Sequence, residues 1–420
     1  MRIGFFTDTY TPQINGVVTS ISLFANELER QGHAVYIFAP TPRQPKDGAH
    51  VVRLPSVPFA FQPEMRLAAA YDARAHGLVK RANLDIMHSH DPFAVGVFGL
   101  AMAKRFRVPY VHTYHTLYPE YVHYIWDTWL TRELAERMSR DFCNQCDTVI
   151  APSTKVREAL LAWGTRKPIV TLPTGVNAAR YAERDEAGVA AFRSRFGIKP
   201  GERLLTFVGR LGLEKNIDAL IDAMNFVRTP GAKLMIVGDG PYRADLERHA
   251  KKDHVSDKVL FCGYLRREDV THAYQASELF FFSSLSETQG LVVGEALASG
   301  LPVVAVNDLA IADAVTDGSN GFLVPEDPQA LAHAADRILG DAELWRMMSA
   351  AAVSRAKELS IANQTQRLLG VYEGLLEGRP PRRRGGTTPH TRRIRVVRQL
   401  RALSSRGDQL VRQVRARFRD

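Results

Sequence analysis

The chain has 420 residues, 45% hydrophobic and 24% charged, enough for two domains with proper cores. No apolar run approaches membrane-spanning length, MRIGFFTD enters a short strand without a signal-peptide stretch, and three cysteines (Cys143, Cys146, Cys262) fit a reducing cytoplasm. The formal charge of +10 divides into +4 over residues 1–177, −6 over 178–378 and +12 over 379–420, so the body is near neutral and, lacking a recognition motif, does not read as a specific nucleic-acid binder.

In chain order, RIGFFT reads as a strand, TDTYTPQINGVVTSISLFANELERQGH as a loop and helix, and AVYIFAP as the next strand. Asn15-Gly16 precedes Val17-Val18-Thr19-Ser20, so Gly16 would let backbone approach a ligand at a helix start, without a G-x-G-x-x-G fingerprint. DIMHSHDP and VPYVHTYHT both end apolar strands in histidine-bearing loops. His88 and His90 are expected on opposite faces of a strand, where they would not share a metal. Cys143-x-x-Cys146 has no second pair beside it and reads as two cysteines on one helical turn. DTVIAPS and IVTLPTGVN close this half, and the Pro173–Pro200 stretch reads as the connection.

The second half repeats the alternation three times. LLTFVGRLGLEKN places Arg210 and Lys215 between a strand and a helix, a fork and a mobile point charge that together suit a diphosphate. KLMIVGDGPYRADLERH is again strand, glycine turn and helix. ELFFFSS and LPVVAV are strands around a segment in which Glu287 precedes, and Glu295 lies within, a helix starting near Gly290. Its first N–H groups would favour an anion, while the two carboxylates could face a sugar and a ribose. The pattern predicts an α/β protein of two doubly wound domains with ligands at the carboxyl ends of the strands. A nicotinamide oxidoreductase would need the glycine fingerprint and an acid after the second strand, and AVYIFAPTP has none.

GRL-x-x-EKN, IVGDGP and E-x7-E followed by ASGLPVVA resemble the retaining family-4 glycosyltransferases of the GT-B fold, over residues 1 to about 375. The resemblance implies two Rossmann-like domains, an acceptor-binding one over 1–177 and a nucleotide-sugar-binding one over 195–360. A helix over 361–378 would pack back on the first, and a basic, partly amphipathic tail would occupy 379–420. FTDTYTPQINGVVTSI, TYHTLYPEYVHYI and SETQGL, with Gln289 where many relatives carry an aromatic residue, look like the bacterial diacylglycerol glucosyltransferases. The aromatic cluster Tyr114, Tyr118, Tyr121, Tyr124, Trp126 and Trp129 would suit a mouth near a lipid interface.

The function so implied is retaining transfer of a hexose, glucose by expectation, from a UDP-sugar to 1,2-diacylglycerol. The alternatives are a phosphatidylinositol-type lipid or soluble glycan as acceptor, or another nucleotide-sugar as donor. Arg210 and Lys215 would stabilise the departing diphosphate, with Gly16, Gln289, Gly290 and Leu291 at the donor. Glu295 would hold the ribose, Glu287 the sugar hydroxyls, and His115 would lie beside the anomeric centre. No cofactor and no metal are expected, since no D-x-D motif is evident at a strand end. The tail, with Ile394, Val397, Leu400 and Leu403 among arginines, would hold the enzyme peripherally on an anionic membrane surface at the inner face of the cell membrane.

Overall fold

The computed structural model describes residues 1–377 apart from 43, 45–46, 49, 60–61, 69–72 and 122–128. The tail, with Tyr124 and Trp126 of the aromatic cluster, lies outside the described residues.

The strands in chain order are β1 (Arg2–Phe6), β2 (Ala34–Pro40), β3 (Val51–Leu54), β4 (Ser56–Phe59), β5 (Gln62–Ala68), β6 (Ile86–Ser89), β7 (Tyr110–Thr113), β8 (Thr148–Ala151) and β9 (Ile169–Thr171), then β10 (Arg203–Val208), β11 (Ala232–Val237), β12 (Val259–Gly263), β13 (Leu279–Phe282), β14 (Val303–Val306) and β15 (Gly321–Val324). One sheet has the order β3-β2-β1-β6-β7-β8-β9 and the other β12-β11-β10-β13-β14-β15. Parallel sheets are covered on both faces, so their strands read as continuous apolar runs rather than alternations. The run Leu279-Phe280-Phe281-Phe282 follows this rule and is buried throughout. Each such side chain contributes about 1.5–3 kcal/mol by leaving water. In each sheet the strand order reverses once: β1 pairs in parallel with both β2 and β6, and β10 with both β11 and β13. Those reversals are switch points, where the connections diverge to opposite sides and leave a crevice.

Helices follow the strands as the sequence predicts. The Gly16–Arg30 helix buries Val18, Ile21, Phe24, Ala25 and Leu28, an i, i+3, i+7 stripe, and Asn15 caps it by accepting the Val18 N–H at 2.9 Å. Among the described residues no helix is long and apolar enough to cross a membrane.

Several details depart from expectation. An antiparallel β4–β5 pair, unforeseen in the sequence, interrupts the alternation. The Pro173–Pro200 connection holds two helices, Ala178–Ala182 and Glu186–Arg195, whose Tyr181, Val189 and Phe192 join the core around the second sheet. His88 and His90 share a face, since residues two apart on a strand point the same way; their rings stack at 4.5 Å between centroids. His88 Nδ1 also lies 2.6 Å from the hydroxyl of Tyr372, on the Ile361–Leu376 helix. Cys143 and Cys146 are buried thiols outside any disulfide, Cys146 Sγ donates to the Phe142 carbonyl at 3.5 Å, and burial pushes the Cys143 thiol up to about 12, which suits packing rather than chemistry. Tyr114 is fully buried against Tyr118 and Trp163, with its hydroxyl 2.7 Å from Ser139 Oγ, so it belongs to the core and not to an exposed mouth.

Among the described residues, contacts gather the chain into two compact units, one of Met1–Gln13, Ala34–Val111 and 371–377, the other of Ile14–His33 and His112–Gly370. All nine site residues predicted from the sequence fall in the second.

Candidate active site

The second sheet's switch point lies between β10 and β13. After β10 the chain runs through Gly209–Gly212 into a 3-10 turn, Leu213–Lys215, and Asn216 takes a left-handed conformation (φ 51) before the Ile217–Ala223 helix. After β13 come Ser283 to Gly290 and then the Leu291–Ala298 helix. Two serines stitch these loops together. Ser283 Oγ donates to the carbonyl of Asn216 at 2.7 Å, and Ser286 Oγ to that of Glu214 at 3.2 Å.

Across that seam Lys215 Nζ donates to Glu287 Oε1 at 2.6 Å, with only 16% and 17% of the two side chains exposed. The sequence placed these groups in separate roles; the fold joins them. Arg210 instead lies on the surface, 60% exposed, and donates to Glu214 Oε1 at 2.6 Å. Lys155, on the Thr154–Ala162 helix, donates to the Leu285 carbonyl at 2.5 Å and to Asp308 Oδ2 at 2.8 Å, tying the second loop to that helix.

Gly290 precedes the Leu291–Ala298 helix at φ +73, a left-handed conformation that favours glycine, and a Cβ there would meet Ile311 Cδ1 at 2.9 Å. The turn directs the helix start, with its leading N–H groups, toward the loop. Gly16, opening the Gly16–Arg30 helix, meets the same place: a Cβ built on it would lie 3.7 Å from Leu291 Cδ1. Two helix N-termini therefore converge, each carrying positive potential. Gln289 is engaged by main chain: its Oε1 accepts the Thr174 N–H at 2.8 Å and its Nε2 donates to the Thr174 carbonyl at 2.7 Å.

Glu295, one turn into the Leu291–Ala298 helix, accepts from the Tyr274 hydroxyl at 3.2 Å. Burial raises its pKa above the usual carboxylate range, opposed by hydrogen bonds from Tyr181 and Tyr274 and by the charges of Arg267 and Arg180. An adjoining cavity is lined by Thr174, Arg180, Arg267, Gln289, Leu291 and Glu295 among others. His115 follows β7, and desolvation lowers its pKa to about 3, so the imidazole is neutral at physiological pH.

The tyrosines around Glu295, the serine seam, Lys155 and Thr174 escaped the sequence reading. The seam had a visible signal in the serine-rich turn; the others lie 21 to 154 residues from their partners. Away from both loops, Asp222, His249 and Asp253 bring possible metal-ligand atoms within 4.8 Å, and His249 Nε2 lies 2.6 Å from Asp222 Oδ1, the spacing of an ordinary hydrogen bond.

Comparison with known proteins accords with this geometry. The model described as Glycosyltransferase Family 4 matches residues 14–180, and the one described as Glycosyl transferases group 1 matches residues 189–355. The chain is 38% identical over 330 residues to an alpha-monoglucosyldiacylglycerol synthase of Streptococcus pneumoniae (strain ATCC BAA-255 / R6), covering 77% of this chain and 75% of that one. It is 31% identical over 348 residues to an alpha-monoglucosyldiacylglycerol synthase of Acholeplasma laidlawii, covering 79% and 87%. In fold it is similar to HepE of Anabaena in complex with UDP, at TM-score 0.73 and 20% identity, over 89% of this chain and all of that one. The twin doubly wound sheets, the loops meeting at β10 and β13 and the matches along both halves lead to one conclusion: the chain belongs to the family 4 glycosyltransferases and is a glycosyltransferase with the GT-B fold.

Proposed function

We propose that the enzyme transfers glucose from UDP-glucose to 1,2-diacylglycerol with retention of configuration, giving an α-glucosyl diacylglycerol. The observation that supports this most is the Lys215–Glu287 pair, set beside two converging helix starts in a chain similar over most of its length to two alpha-monoglucosyldiacylglycerol synthases. HepE, similar in fold, has also been solved with UDP-glucose.

The leaving group is a diphosphate, so the barrier falls where developing negative charge meets fixed positive potential. Lys215 and the N–H groups before and after Leu291 supply it, and Arg210 joins them on leaving Glu214. Glu287, beside Lys215, takes the hydroxyls of the sugar, and Glu295 takes those of the ribose. The bond from the anomeric carbon to the diphosphate oxygen breaks as the bond to the acceptor oxygen forms on the same face. The acceptor proton passes to the diphosphate oxygen. Glu287 serves in binding and not as a covalent nucleophile, and the cations take the place of a divalent ion. His115, neutral, orients the sugar or stabilises positive charge at the anomeric centre without giving up a proton.

A lipid acceptor implies a membrane surface. The Trp129–Cys143 helix exposes Leu134 and Met138 one turn apart, among Arg132, Arg137 and Arg140. The tail's net +12 would add up to about 1 kcal/mol per arginine near an anionic bilayer, less at higher salt. The enzyme would then work peripherally at the inner face of the cell membrane.

The test is transfer of radiolabelled sugar from UDP-glucose or UDP-galactose to diacylglycerol in anionic mixed micelles. A chloroform-soluble product from UDP-glucose alone is expected. Product from UDP-galactose alone would overturn the donor assignment, and donor hydrolysis without lipid product would overturn the acceptor. A phosphatidylinositol-type lipid or a soluble glycan, or another nucleotide-sugar, would be the next substrate to offer.

A further inference from the structure

We infer that Gln289 is a positioning residue: its side-chain amide pins the loop carrying Glu287 to a rigid segment at Thr174, so that it sets the donor site without touching the donor. This rests on the proposed donor site but says something different of Gln289 than donor contact.

The geometry is a two-bond clamp. Oε1 accepts from the Thr174 N–H at 2.8 Å while Nε2 donates to the Thr174 carbonyl at 2.7 Å, so both ends of the amide are committed to one buried residue. Such a ring fixes distance and orientation together, as a pair of strand hydrogen bonds does.

The segment it grips is itself immobilised. The Val176 N–H donates to the Leu359 carbonyl at 2.9 Å, and the Ile361 N–H returns to the Val176 carbonyl at 2.9 Å. Between them Gly175 is pressed so closely that a Cβ would lie 2.3 Å from Ile361 Cα. Thr174 is tied to a second element as well, its Oγ1 lying 2.6 Å from Ser20 Oγ on the Gly16–Arg30 helix.

The loop is thus held at both ends. Ser283 and Lys155 fix its beginning, and Gln289 fixes its end, directly before the left-handed Gly290 turn. Glu287 lies between these points. The relay Ser20–Thr174–Gln289 also connects the two helices whose first residues, Gly16 and Leu291, approach one another. Cutting the relay should let the Leu291 helix start and Glu287 drift together, and displacement by an ångström can lower turnover about 10²-fold. An aromatic residue here could not make the clamp, so the glutamine commits the loop to this anchor.

The test compares Gln289→Met, of similar length but without hydrogen bonds, with Ser20→Ala and the double variant, measuring kcat and KM for donor and acceptor and the amide exchange of Thr174. Gln289→Met should lower kcat about 10²-fold with a higher donor KM, an unchanged acceptor KM and faster Thr174 exchange. Ser20→Ala should lower kcat less, and the double variant should be no worse than Gln289→Met, because the relay is already cut. Wild-type kinetics in Gln289→Met, or losses that multiply in the double variant, would overturn the inference. If Gln289→Met does not fold, Gln289→Glu keeps the acceptor for the Thr174 N–H and loses the donor to its carbonyl; a split of kcat from acceptor KM is again expected, and its absence overturns the clamp. Should wild type transfer no sugar from UDP-glucose to diacylglycerol, the proposed substrates fall, while Thr174 exchange alone still decides the clamp: unchanged exchange in the variant overturns it.

Discussion

Lys215 Nζ donates to Glu287 Oε1 at 2.6 Å, an ion pair between residues 72 apart that ties the loop after β10 to the loop after β13 at the second sheet's switch point. It sets the cation proposed for the leaving diphosphate against the carboxylate proposed for the sugar. Lys215→Ala should lower kcat about 10²–10³-fold, because its interaction strengthens only as negative charge develops. Glu287→Gln should act more on donor KM. If the paired charges were only structural, the double variant Lys215→Met/Glu287→Leu would keep its turnover in steady-state assays.

Gly16 separates ligand sterics from protein sterics. A Cβ there would make an ordinary 3.7 Å contact with Leu291 Cδ1, so packing tolerates Gly16→Ala. The variant should melt at the wild-type temperature while its donor KM rises about tenfold, as expected where backbone must approach a ligand closely. An unchanged donor KM would remove Gly16 from the donor site.

His115 should contribute no limb to the pH–rate profile between pH 5 and 8, since burial lowers its pKa to about 3. Its folded pKa lies below the unfolded value near 6.5, so the associated stability is present above 6.5 and is lost as pH falls toward 3. His115→Ala should lower kcat about 10²-fold while leaving the profile's shape unchanged. A limb near neutrality that vanishes in the variant would show that the ring titrates during turnover.

Asp8 shows the opposite linkage. Burial first, then repulsion from Asp91, raises its pKa from 3.8 to about 8, against hydrogen bonds donated by the Val95 and Gly96 N–H groups. Asp91 Oδ2 accepts from Thr7 Oγ1 at 2.8 Å and from the Asp8 N–H at 2.9 Å, which keeps that carboxylate in place. A raised folded pKa means stability fully present below pH 3.8 and lost as pH rises through about 8. Asp8→Asn should therefore flatten the decline in melting temperature between pH 5 and 8 and melt higher than wild type at the alkaline end. Parallel curves for the two proteins in thermal melts would refute the assignment.

Glu295→Ala should chiefly raise the KM for the donor. Tyr274→Phe removes a hydroxyl that holds the Glu295 carboxylate and opposes the effect of burial on its pKa. The pKa of Glu295 should rise further, moving the pH at which donor KM improves to higher values. A pH dependence of KM identical to wild type would separate Glu295 from nucleotide binding.

The sequence alone determined what is local. Alternating apolar runs and glycine turns specified strands and helices, because a strand buried on both faces leaves an unbroken hydrophobic signature and a capped amphipathic helix leaves a periodic one. GRLGLEKN and the E-x7-E segment named the loops, and the Gly290 turn and helix start followed from a few adjacent residues. Tertiary structure decided the rest. Whether β10 pairs with β13 is a matter of long-range pairing that no local pattern records, and it is this pairing that brings Lys215 to Glu287. The same applies to Tyr274 on Glu295 and to Gln289 on Thr174, 115 residues apart, where a polar side chain finds its partner only because burial leaves main-chain groups that must be paired. Arg210 makes the complementary point: its partner Glu214 is four residues away, yet only the folded loop showed that the cation rests on a local carboxylate.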